Sequence, residues 1–274
     1  MTNFDPAGPG SSESLPPHAA DAPSNMLFLT EGFRALLDFG LLVGSTPILT
    51  SLPTGDRHPV MVLPGLMGSD PSTLVLRRIL RRLGYPTHRW RQGVNIGPTR
   101  EILDGMHDRL KLLADQHAQP VSLIGWSLGG IFARRIAREQ PEAVRQVITL
   151  GSPFGLTDKR QSRANEFYEL NADRHAERWE LPIPSEQEPL TVPSTAIYSR
   201  LDGIVAWGTS LGQPGPTAEN IEVCASHTGM AVHPAVIWAI ADRLAQPAGA
   251  WKPFRPPFYL RGAFPRPVSA SPRD

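Results

Sequence analysis

Short apolar segments alternate with amphipathic ones along most of this 274-residue chain, and this alternation restricts the folds that it can adopt. The apolar runs predict strands at residues 59–63, 88–91, 121–126, 144–150, 195–199 and 221–224. Helical spacing of apolar residues predicts helices at residues 70–83, 98–117, 128–139 and 233–244. Strands that alternate with helices predict an α/β fold, in which a mostly parallel sheet is covered by helices on both faces.

The bulk composition is that of an ordinary soluble globular protein. Hydrophobic residues make up 41% of the chain and charged residues 19%. The formal net charge of +1 gives no general attraction to nucleic acids, so no nucleic-acid partner is expected. Cys224 is the only cysteine, which excludes an internal disulfide and a cysteine-based zinc site.

Both ends differ in composition from residues 26–247, which we assign to one α/β domain. Residues 1–25 are rich in Pro, Ser, Gly and Ala, and they predict a disordered leader without the features of a secretory signal. Residues 248–274 contain several prolines and aromatic residues, and they predict an extended tail that lies on the domain.

An apolar stretch at residues 33–52 raises the question of a membrane anchor. Arg34, Asp38 and Pro47 interrupt it, whereas a bilayer-spanning helix needs about 20 largely uninterrupted apolar residues. No transmembrane helix is predicted, and the expected location is therefore cytoplasmic.

Residues 156–192 break the alternation of strands and helices. They are polar and charged at first and rich in proline later. An excursion at this point lies over the carboxyl ends of the strands, where open α/β sheets bind their ligands. We therefore predict a small lid or cap; a surface insertion without a role in binding is the alternative.

The strongest chemical signal is the pentapeptide Gly125-Trp126-Ser127-Leu128-Gly129. It stands between an apolar run and a helix with apolar periodicity. The pattern G-x-S-x-G in this position predicts a sharp turn that lifts the serine hydroxyl out of the sheet. Glycines are needed there because the turn is strained and neighbouring backbone comes close. Ser127 is therefore the candidate nucleophile.

A serine hydroxyl is a weak nucleophile until a base removes its proton. In enzymes with a serine at such a turn, an acid and then a histidine follow it in the chain. Asp202 and His227 occur in that order, each just after a predicted strand. We predict that His227 is the general base, and that the Asp202 carboxylate orients it and stabilises the imidazolium.

Other residues compete for these two roles. Asp202 precedes a glycine, a pairing that is common in turns without any catalytic role. Asp173 lies in the predicted lid, and Glu222 lies within a predicted strand rather than after it. His233 precedes a proline at a helix start, which suits capping. Four further histidines lie before Asp202, against the expected order: His88, His107, His117 and His175.

An oxyanion hole needs two hydrogen-bond donors, which are usually backbone N–H groups. Leu128 is expected to supply one, because it follows the nucleophile directly at a helix N-terminus, where N–H groups are free. The loop Pro64-Gly65-Leu66-Met67-Gly68 follows the first strand and is expected to supply the other. Leu66 is the first candidate and Met67 the next; an ordinary strand-to-helix loop is the alternative.

Together these features resemble the α/β-hydrolase superfamily, and more narrowly its bacterial lipase and esterase branch. The resemblance covers residues 59–245, about two thirds of the chain, and rests on the motifs LPGLMGS, LIGWSLGG, VITLGSPFG, YSRLDGIV and SHTGM. It implies an α/β-hydrolase fold and hydrolysis of carboxylic esters through an acyl-enzyme, without a metal or organic cofactor. The chain departs from the branch in two ways: Pro64-Gly65 replaces the usual His-Gly, and no secretory signal is recognised.

The expected substrate is a small-molecule ester or a lipid. Apolar side chains near the serine would bind its acyl chain. Those predicted to do so are Leu66, Met67, Trp126, Phe154, Leu156 and Trp207. Burial in the core without substrate contact is the alternative, above all for Trp126. An acyltransferase with the same triad and a binding protein without catalysis are the competing functions.

A basic cluster is formed by Arg77, Arg78, Arg81, Arg82, Arg89 and Arg91. Together with the apolar region at residues 26–52, it suggests a weak association with anionic membrane surfaces. A solvated helix face is the competing explanation. No nucleic-acid-binding motif surrounds the cluster, and no pattern in the sequence specifies an oligomeric state.

Overall fold

Six parallel strands form one sheet in the structure, a computed structural model that describes residues 21–45, 49–176 and 187–265. The strands are β1 (Val60–Leu63), β2 (Thr87–Arg89), β3 (Val121–Trp126), β4 (Val144–Leu150), β5 (Ser194–Tyr198) and β6 (Ala218–Glu222). They lie in the order β2-β1-β3-β4-β5-β6, and every neighbouring pair is parallel. The carboxyl ends of all six strands therefore meet at one edge of the sheet.

Helices cover both faces of this sheet. They are α1 (Asn25–Leu29), α2 (Glu31–Gly44), α3 (Leu74–Arg82), α4 (Arg100–His117), α5 (Leu128–Glu139), α6 (Asn165–Glu169) and α7 (Pro234–Ala245). Apolar side chains of α3 and α7 form a core on one face, and those of α4 and α5 form a second core on the other. The predicted fold class, a parallel sheet between two helical layers, is confirmed.

The predicted bounds of β3, β4 and α5 agree with the structure, whereas those of β6 do not. The apolar run at residues 221–224 predicts a strand there, but the strand begins three residues earlier, at Ala218. Its first half is polar and only half-buried, because β6 lies at the edge of the sheet and pairs with β5 alone. An edge strand of this kind lacks the apolar run that marks a central strand.

The N-terminal helix α2 orients charged residues toward the protein, a feature that the sequence does not predict. In α2 the buried residues are Glu31, Asp38 and Leu42. The large apolar side chains exposed on α1 and α2 are Met26, Phe28, Leu29, Phe33, Leu36, Leu37, Phe39, Leu41 and Val43. No helix in the described residues has both the length and the apolar character that crossing a bilayer requires.

The two chain ends are only partly described. Of the predicted leader, residues 1–20 lie outside the described residues, and α1 begins at Asn25 with the Ser24 hydroxyl as its N-cap. Of the predicted tail, residues 266–274 lie outside them. The described part of the tail packs on the domain: Phe264 belongs to the core that α7 forms, and the Phe254 N–H donates to Glu219 Oε2 at 2.7 Å.

One of the six arginines in the predicted basic cluster is not part of a charged surface. Arg77 is only 2% exposed, and its guanidinium donates hydrogen bonds to the Thr73 hydroxyl and the Asp70 carbonyl. It therefore holds the start of α3 together and does not contribute to a surface charge. The other five arginines belong to α3, β2 and the loop after β2, at one edge of the sheet, whereas α2 contacts the loops after β5 and β6.

A contact between His88 on β2 and His117 at the end of α4 predicts acid sensitivity. Their Nε2 atoms lie 3.0 Å apart. Burial, together with the neighbouring His117 and nearby arginines, lowers the pKa of His88 to about 4. An unfolded histidine titrates near pH 6.5, so the unfolded chain binds this proton more tightly than the folded one. We therefore expect the free energy of unfolding to decrease as the pH falls from about 6.5 to about 4.

Urea denaturation of the wild type and of His88→Gln at several pH values across this range measures the effect. The variant should lose less stability on acidification than the wild type, because its residue 88 cannot take up a proton. Equal losses in the two proteins would contradict the assignment to His88.

Candidate active site

Ser127 stands on a strained turn between β3 and α5. Its backbone has φ 53° and ψ −125°, a conformation that a residue other than glycine adopts only under constraint. The Ser127 N–H donates to the Leu150 carbonyl at 2.8 Å, which fixes the turn to the end of β4. A Cβ on Gly125 would overlap the backbone of Gly129 and Gly130, so β3 and α5 can approach closely only because residue 125 has no side chain.

Asp202 and His227 form a buried pair on the loops after β5 and β6. His227 Nδ1 lies 2.6 Å from Asp202 Oδ2. Asp202 Oδ1 accepts hydrogen bonds from the backbone N–H groups of Ile204 and Val205, each at 2.8 Å, so that Oδ2 is left for the imidazole. Trp126, the last residue of β3, donates from Nε1 to the His227 carbonyl at 3.0 Å. The structure thus brings the pair to the end of the strand that precedes the candidate nucleophile.

Several charges act on the His227 imidazole. Burial by itself would lower its pKa, but the Asp202 carboxylate and also the Glu31 carboxylate raise the pKa above its ordinary value. Because Asp202 holds Nδ1, Nε2 is the ring nitrogen available for proton transfer. No hydrogen bond joins the Ser127 hydroxyl to His227 in the described part of the chain, and such contacts are often long in enzymes without substrate.

The loop after β1 lies directly against Ser127. A Cβ on Gly65 would lie 3.0 Å from the Ser127 Cβ, so a side chain here would press on the turn that carries Ser127. The Met67 N–H donates to the Asn95 carbonyl at 2.7 Å and is therefore already engaged. The Leu66 and Leu128 N–H groups donate to no acceptor among the described residues. Of the two candidates in this loop, Leu66 is therefore the one whose N–H has no acceptor among the described residues.

Asn95 holds this loop in place, a role that the sequence does not reveal. It is fully buried in the loop after β2, and its Nδ2 donates to the Pro64 carbonyl at 2.9 Å. Its backbone bonds both Met67 and Gly68, and its Oδ1 accepts from the Gly97 N–H at 3.2 Å. A single asparagine in a loop without periodicity carries no signal that could identify this function.

We expect Asn95→Ala to lower the free energy of unfolding by about 1–3 kcal/mol, because it leaves the Pro64 carbonyl and the Gly97 N–H without partners inside the protein. Urea denaturation measures the change. Asn220→Ala is a matched control. The Asn220 side chain also donates one hydrogen bond to a backbone carbonyl and accepts one from a backbone N–H, both of Gly212, but it is only half-buried. A loss no larger than that of the control would contradict the assignment.

An apolar cleft opens beside Ser127; about 480 Å³ in and at the mouth of it is not filled by protein atoms, and part of this space is open solvent. Its lining comes from the loop after β1, the start of α5, the loop after β4 and the predicted lid. The lining residues are Leu66, Ser127, Leu128, Ile131, Pro153, Leu156, Lys159, Ser162, Ala164, Asn165, Tyr168 and Val205. Within the predicted lid, residues 156–168 thus contribute to the lining of the cleft. Residues 177–186 lie outside the described residues, and movement as a lid stays a prediction.

Of the six residues predicted to bind substrate, Leu66 and Leu156 line this cleft. The other four do not. Phe154 is buried in the core, where the Arg134 guanidinium lies 4.1 Å from its ring. Trp207 stacks on Tyr198, Met67 points outward with 54% of its surface exposed, and Trp126 bonds to His227. Apolar character alone cannot separate cleft residues from core residues, because both exclude water.

The competing residues have other partners. His233 caps α7, since its Nδ1 accepts from the Ala235 N–H at 3.3 Å. Glu222 accepts from the Tyr198 hydroxyl and pairs with Arg200. No three histidine, cysteine, aspartate or glutamate side chains in the described ranges come together as a metal site would require.

A hydrogen-bonded serine–histidine–aspartate relay occurs at the end of the sheet opposite Ser127. His58 Nε2 lies 2.6 Å from the Ser122 hydroxyl, and His58 Nδ1 lies 2.7 Å from Asp56 Oδ1. His58 and Ser122 are both fully buried, and the relay borders no cleft among those found in the described residues. Hydrogen-bond geometry alone therefore does not identify a nucleophile; access to a cleft and free N–H donors distinguish Ser127 from Ser122.

The fold is shared with solved structures whose sequences are distant. Lipase B of Aspergillus fumigatus matches with a TM-score of 0.51 and 16% identity over 73% of this chain, which spans 56% of the length of the lipase. BpoC of Mycobacterium tuberculosis H37Rv, named as a non-heme bromoperoxidase, matches with a TM-score of 0.51 and 15% identity, over 69% of this chain and 92% of BpoC. No protein-family model matches the sequence, and no curated protein is significantly similar to it. At such low identities the likeness shows a shared fold only.

Proposed function

Because the chain has the α/β-hydrolase fold, we propose that it is a serine hydrolase that cleaves carboxylic esters through an acyl-enzyme on Ser127. The observation that carries the proposal is the position of Ser127: a strained turn beside an apolar cleft, with two free N–H groups next to it. The buried His227–Asp202 pair at the end of the same strand supports it, since a serine needs a base.

In the first half of the proposed reaction, His227 Nε2 takes the proton of the Ser127 hydroxyl while Oγ attacks the ester carbonyl carbon. The carbonyl oxygen becomes an oxyanion, and the N–H groups of Leu66 and Leu128 stabilise it. The Asp202 carboxylate keeps the Nδ1 proton in place and stabilises the imidazolium. The imidazolium then protonates the alkoxide oxygen, the ester bond breaks, and the alcohol leaves an acyl-serine behind.

In the second half, a water molecule takes the place of the alcohol. His227 Nε2 accepts a proton from this water as its oxygen attacks the acyl carbon, and the same two N–H groups hold the second oxyanion. Return of the proton to Ser127 Oγ breaks the acyl–serine bond and releases the acid. The enzyme is thereby restored with all protons accounted for.

The lining of the cleft supports an uncharged, apolar acyl group as the substrate class. Leu66, Ile131, Leu156 and Val205 supply aliphatic surface along it. Among the described lining residues, Lys159 is the only charged one, and its ammonium group pairs with the Glu169 carboxylate at 2.5 Å. An anionic acyl group would find no unpaired cation among these lining residues.

The proposal is tested with p-nitrophenyl esters from acetyl to palmitoyl and with a fluorophosphonate probe whose attachment site is mapped by mass spectrometry. We expect turnover that depends on acyl length and a covalent label on Ser127. A label on any other serine would refute the assignment of the nucleophile. The absence of both turnover and label would refute the catalytic function and favour a binding protein on this fold.

Acyl transfer to an alcohol or thiol uses the same first half-reaction, so the products decide between the two enzymes. Product analysis with added acceptor alcohols makes this distinction. Release of the free acid in their presence supports the hydrolase, whereas predominant formation of a new ester would show that the acceptor is not water.

A further inference from the structure

The N-terminal helix α2 contacts both loops that carry the candidate catalytic residues, although it lies far away in the sequence. Glu31 Oε1 accepts a hydrogen bond from the Thr228 N–H at 2.7 Å, and Glu31 Oε2 accepts one from the Gly203 N–H at 3.1 Å. Gly203 directly follows Asp202, and Thr228 directly follows His227. One buried carboxylate thus joins the two loops.

We propose that Glu31 is a positioning residue for the His227–Asp202 pair: its carboxylate sets the distance between the two loops and adds a negative charge beside the imidazole. This inference rests on the proposed function of that pair. Glu31 touches neither Ser127 nor the cleft, so its effect passes through the backbone and the electrostatic field.

Two further residues of α2 support the same arrangement. Arg34 pairs with Glu31 Oε2 at 2.7 Å and also donates to the Leu201 carbonyl, so the backbone is held on both sides of Asp202. Asp38 Oδ2 accepts from the Ser226 N–H at 2.9 Å and from the Ser226 hydroxyl at 2.5 Å.

These contacts have the spacing of one helix face. Glu31, Arg34 and Asp38 are three and four residues apart, so all three project from the same side of α2. With Asp38 bound at Ser226 and Glu31 bound at Thr228, the backbone of His227 is held on both sides as well.

The loops have also made room for this helix. A Cβ on Gly203 would lie 2.5 Å from the Leu27 carbonyl oxygen and 2.6 Å from Glu31 Oε2, which is too close for any other residue. A Cβ on Gly229 would overlap the Asp38 carboxylate. Glycines at these two positions allow the carboxylates to approach the backbone. The contact therefore depends on residues of the two loops as well as on residues of α2.

The charges around His227 determine how Glu31 acts on its proton. Asp202 faces the imidazole from the β5 loop, and Glu31 and the Arg34 paired with it face the same region from α2. Asp38 bonds the preceding residue and lies 4.0 Å from His233 Nε2 on α7. Removal of the Glu31 charge leaves Arg34 without its partner there, and both changes disfavour the imidazolium.

The test is the nearly isosteric substitution Glu31→Gln. An amide NH₂ in place of one carboxylate oxygen cannot accept from a backbone N–H, so one loop loses its contact. We expect kcat to fall by about 10- to 100-fold with little change in KM, the size of effect that follows from a small misplacement of catalytic groups. The acid limb of the kcat–pH profile should move to lower pH, because the base loses its proton more readily.

Two further variants separate positioning from general destabilisation. Glu31→Asp keeps the charge and should restore the position of the acid limb, though not all of kcat. Glu219→Gln removes another carboxylate that is largely buried and bound to Arg243 and to the Phe254 N–H, remote from the catalytic loops. It should lower stability without moving the acid limb.

Titration of the histidines by NMR in the wild type and in Glu31→Gln gives a readout that needs no turnover. A lower His227 pKa in the variant supports the proposal even if no ester is cleaved, in which case only the proposed function fails. If the wild type is active and Glu31→Gln matches it in kcat, acid limb and His227 titration, the positioning role is refuted while the hydrolase remains. The positioning role would also be refuted if Glu31→Gln, like the control Glu219→Gln, lost activity only in proportion to its loss of folded protein.

Discussion

Ser127→Ala is expected to lower kcat/KM by about 10⁴-fold or more for every ester that the wild type cleaves. Alanine has no hydroxyl to attack the carbonyl, so only water held near the two free N–H groups remains for residual hydrolysis. The fold should survive, because the turn at residue 127 depends on a backbone bond to Leu150 and on neighbouring glycines rather than on the hydroxyl. Steady-state kinetics on the p-nitrophenyl ester with the highest turnover measures the loss.

Ser122→Ala is the matched control for this substitution. It removes a buried serine that is bonded to a buried histidine in the Ser122–His58–Asp56 relay, at the far end of the sheet. We expect the control to lose some stability, by about 1–2 kcal/mol, and to keep its activity. The reverse result, an active Ser127→Ala and an inactive but folded Ser122→Ala, would move the active site to the other end of the sheet.

Asp202→Asn is expected to lower kcat by about 10⁴-fold while the protein stays folded. The N–H groups of Ile204 and Val205 require an oxygen at the Oδ1 position, so the amide nitrogen of the asparagine would face His227 Nδ1. An NH₂ group donates there, which makes Nδ1 the acceptor and places the ring proton on Nε2. A histidine in that tautomer cannot take the proton of Ser127.

Asp173→Asn serves as the comparison for the acid, because Asp173 is the other aspartate considered for this role. It is exposed in the segment that borders the cleft, and its substitution should leave kcat nearly unchanged. Kinetics combined with NMR observation of the His227 ring protons distinguishes the tautomers. If Asp202→Asn stays within about tenfold of the wild type, another group must orient the base.

The sequence predicts the centre of this fold well and its periphery poorly, for physical reasons. Strands β3 and β4 are buried along nearly all of their length and are rich in apolar residues, and α5 begins at a glycine-rich turn. Strand β6 lies at the sheet edge and mixes polar with apolar residues, so its predicted bounds were shifted. The pattern of apolar residues therefore identifies a strand or helix well when its whole length is buried to the same degree.

Residues that act through distant contacts leave no such pattern. Asn95 holds the loop after β1 from a position about thirty residues away, and Glu31 reaches loops that follow it by 172 and 197 residues. The helix that carries Glu31 escaped prediction because the usual rule, apolar side inward, is reversed in it. The spacing of Glu31, Arg34 and Asp38 does indicate one face of a helix. In the sequence, however, Arg34 and Asp38 are equally well explained as interruptions of an apolar stretch.

The inward orientation of these charges also makes the attachment of α2 less stable than the sheet that it covers. Helix α2 buries little apolar surface, so its attachment depends on a few hydrogen bonds and ion pairs at its inner side. Segments with few buried apolar contacts open at a lower free energy than the core that they cover. We therefore expect that, on heating, the N-terminal segment detaches and the two loops lose their alignment before the sheet itself melts.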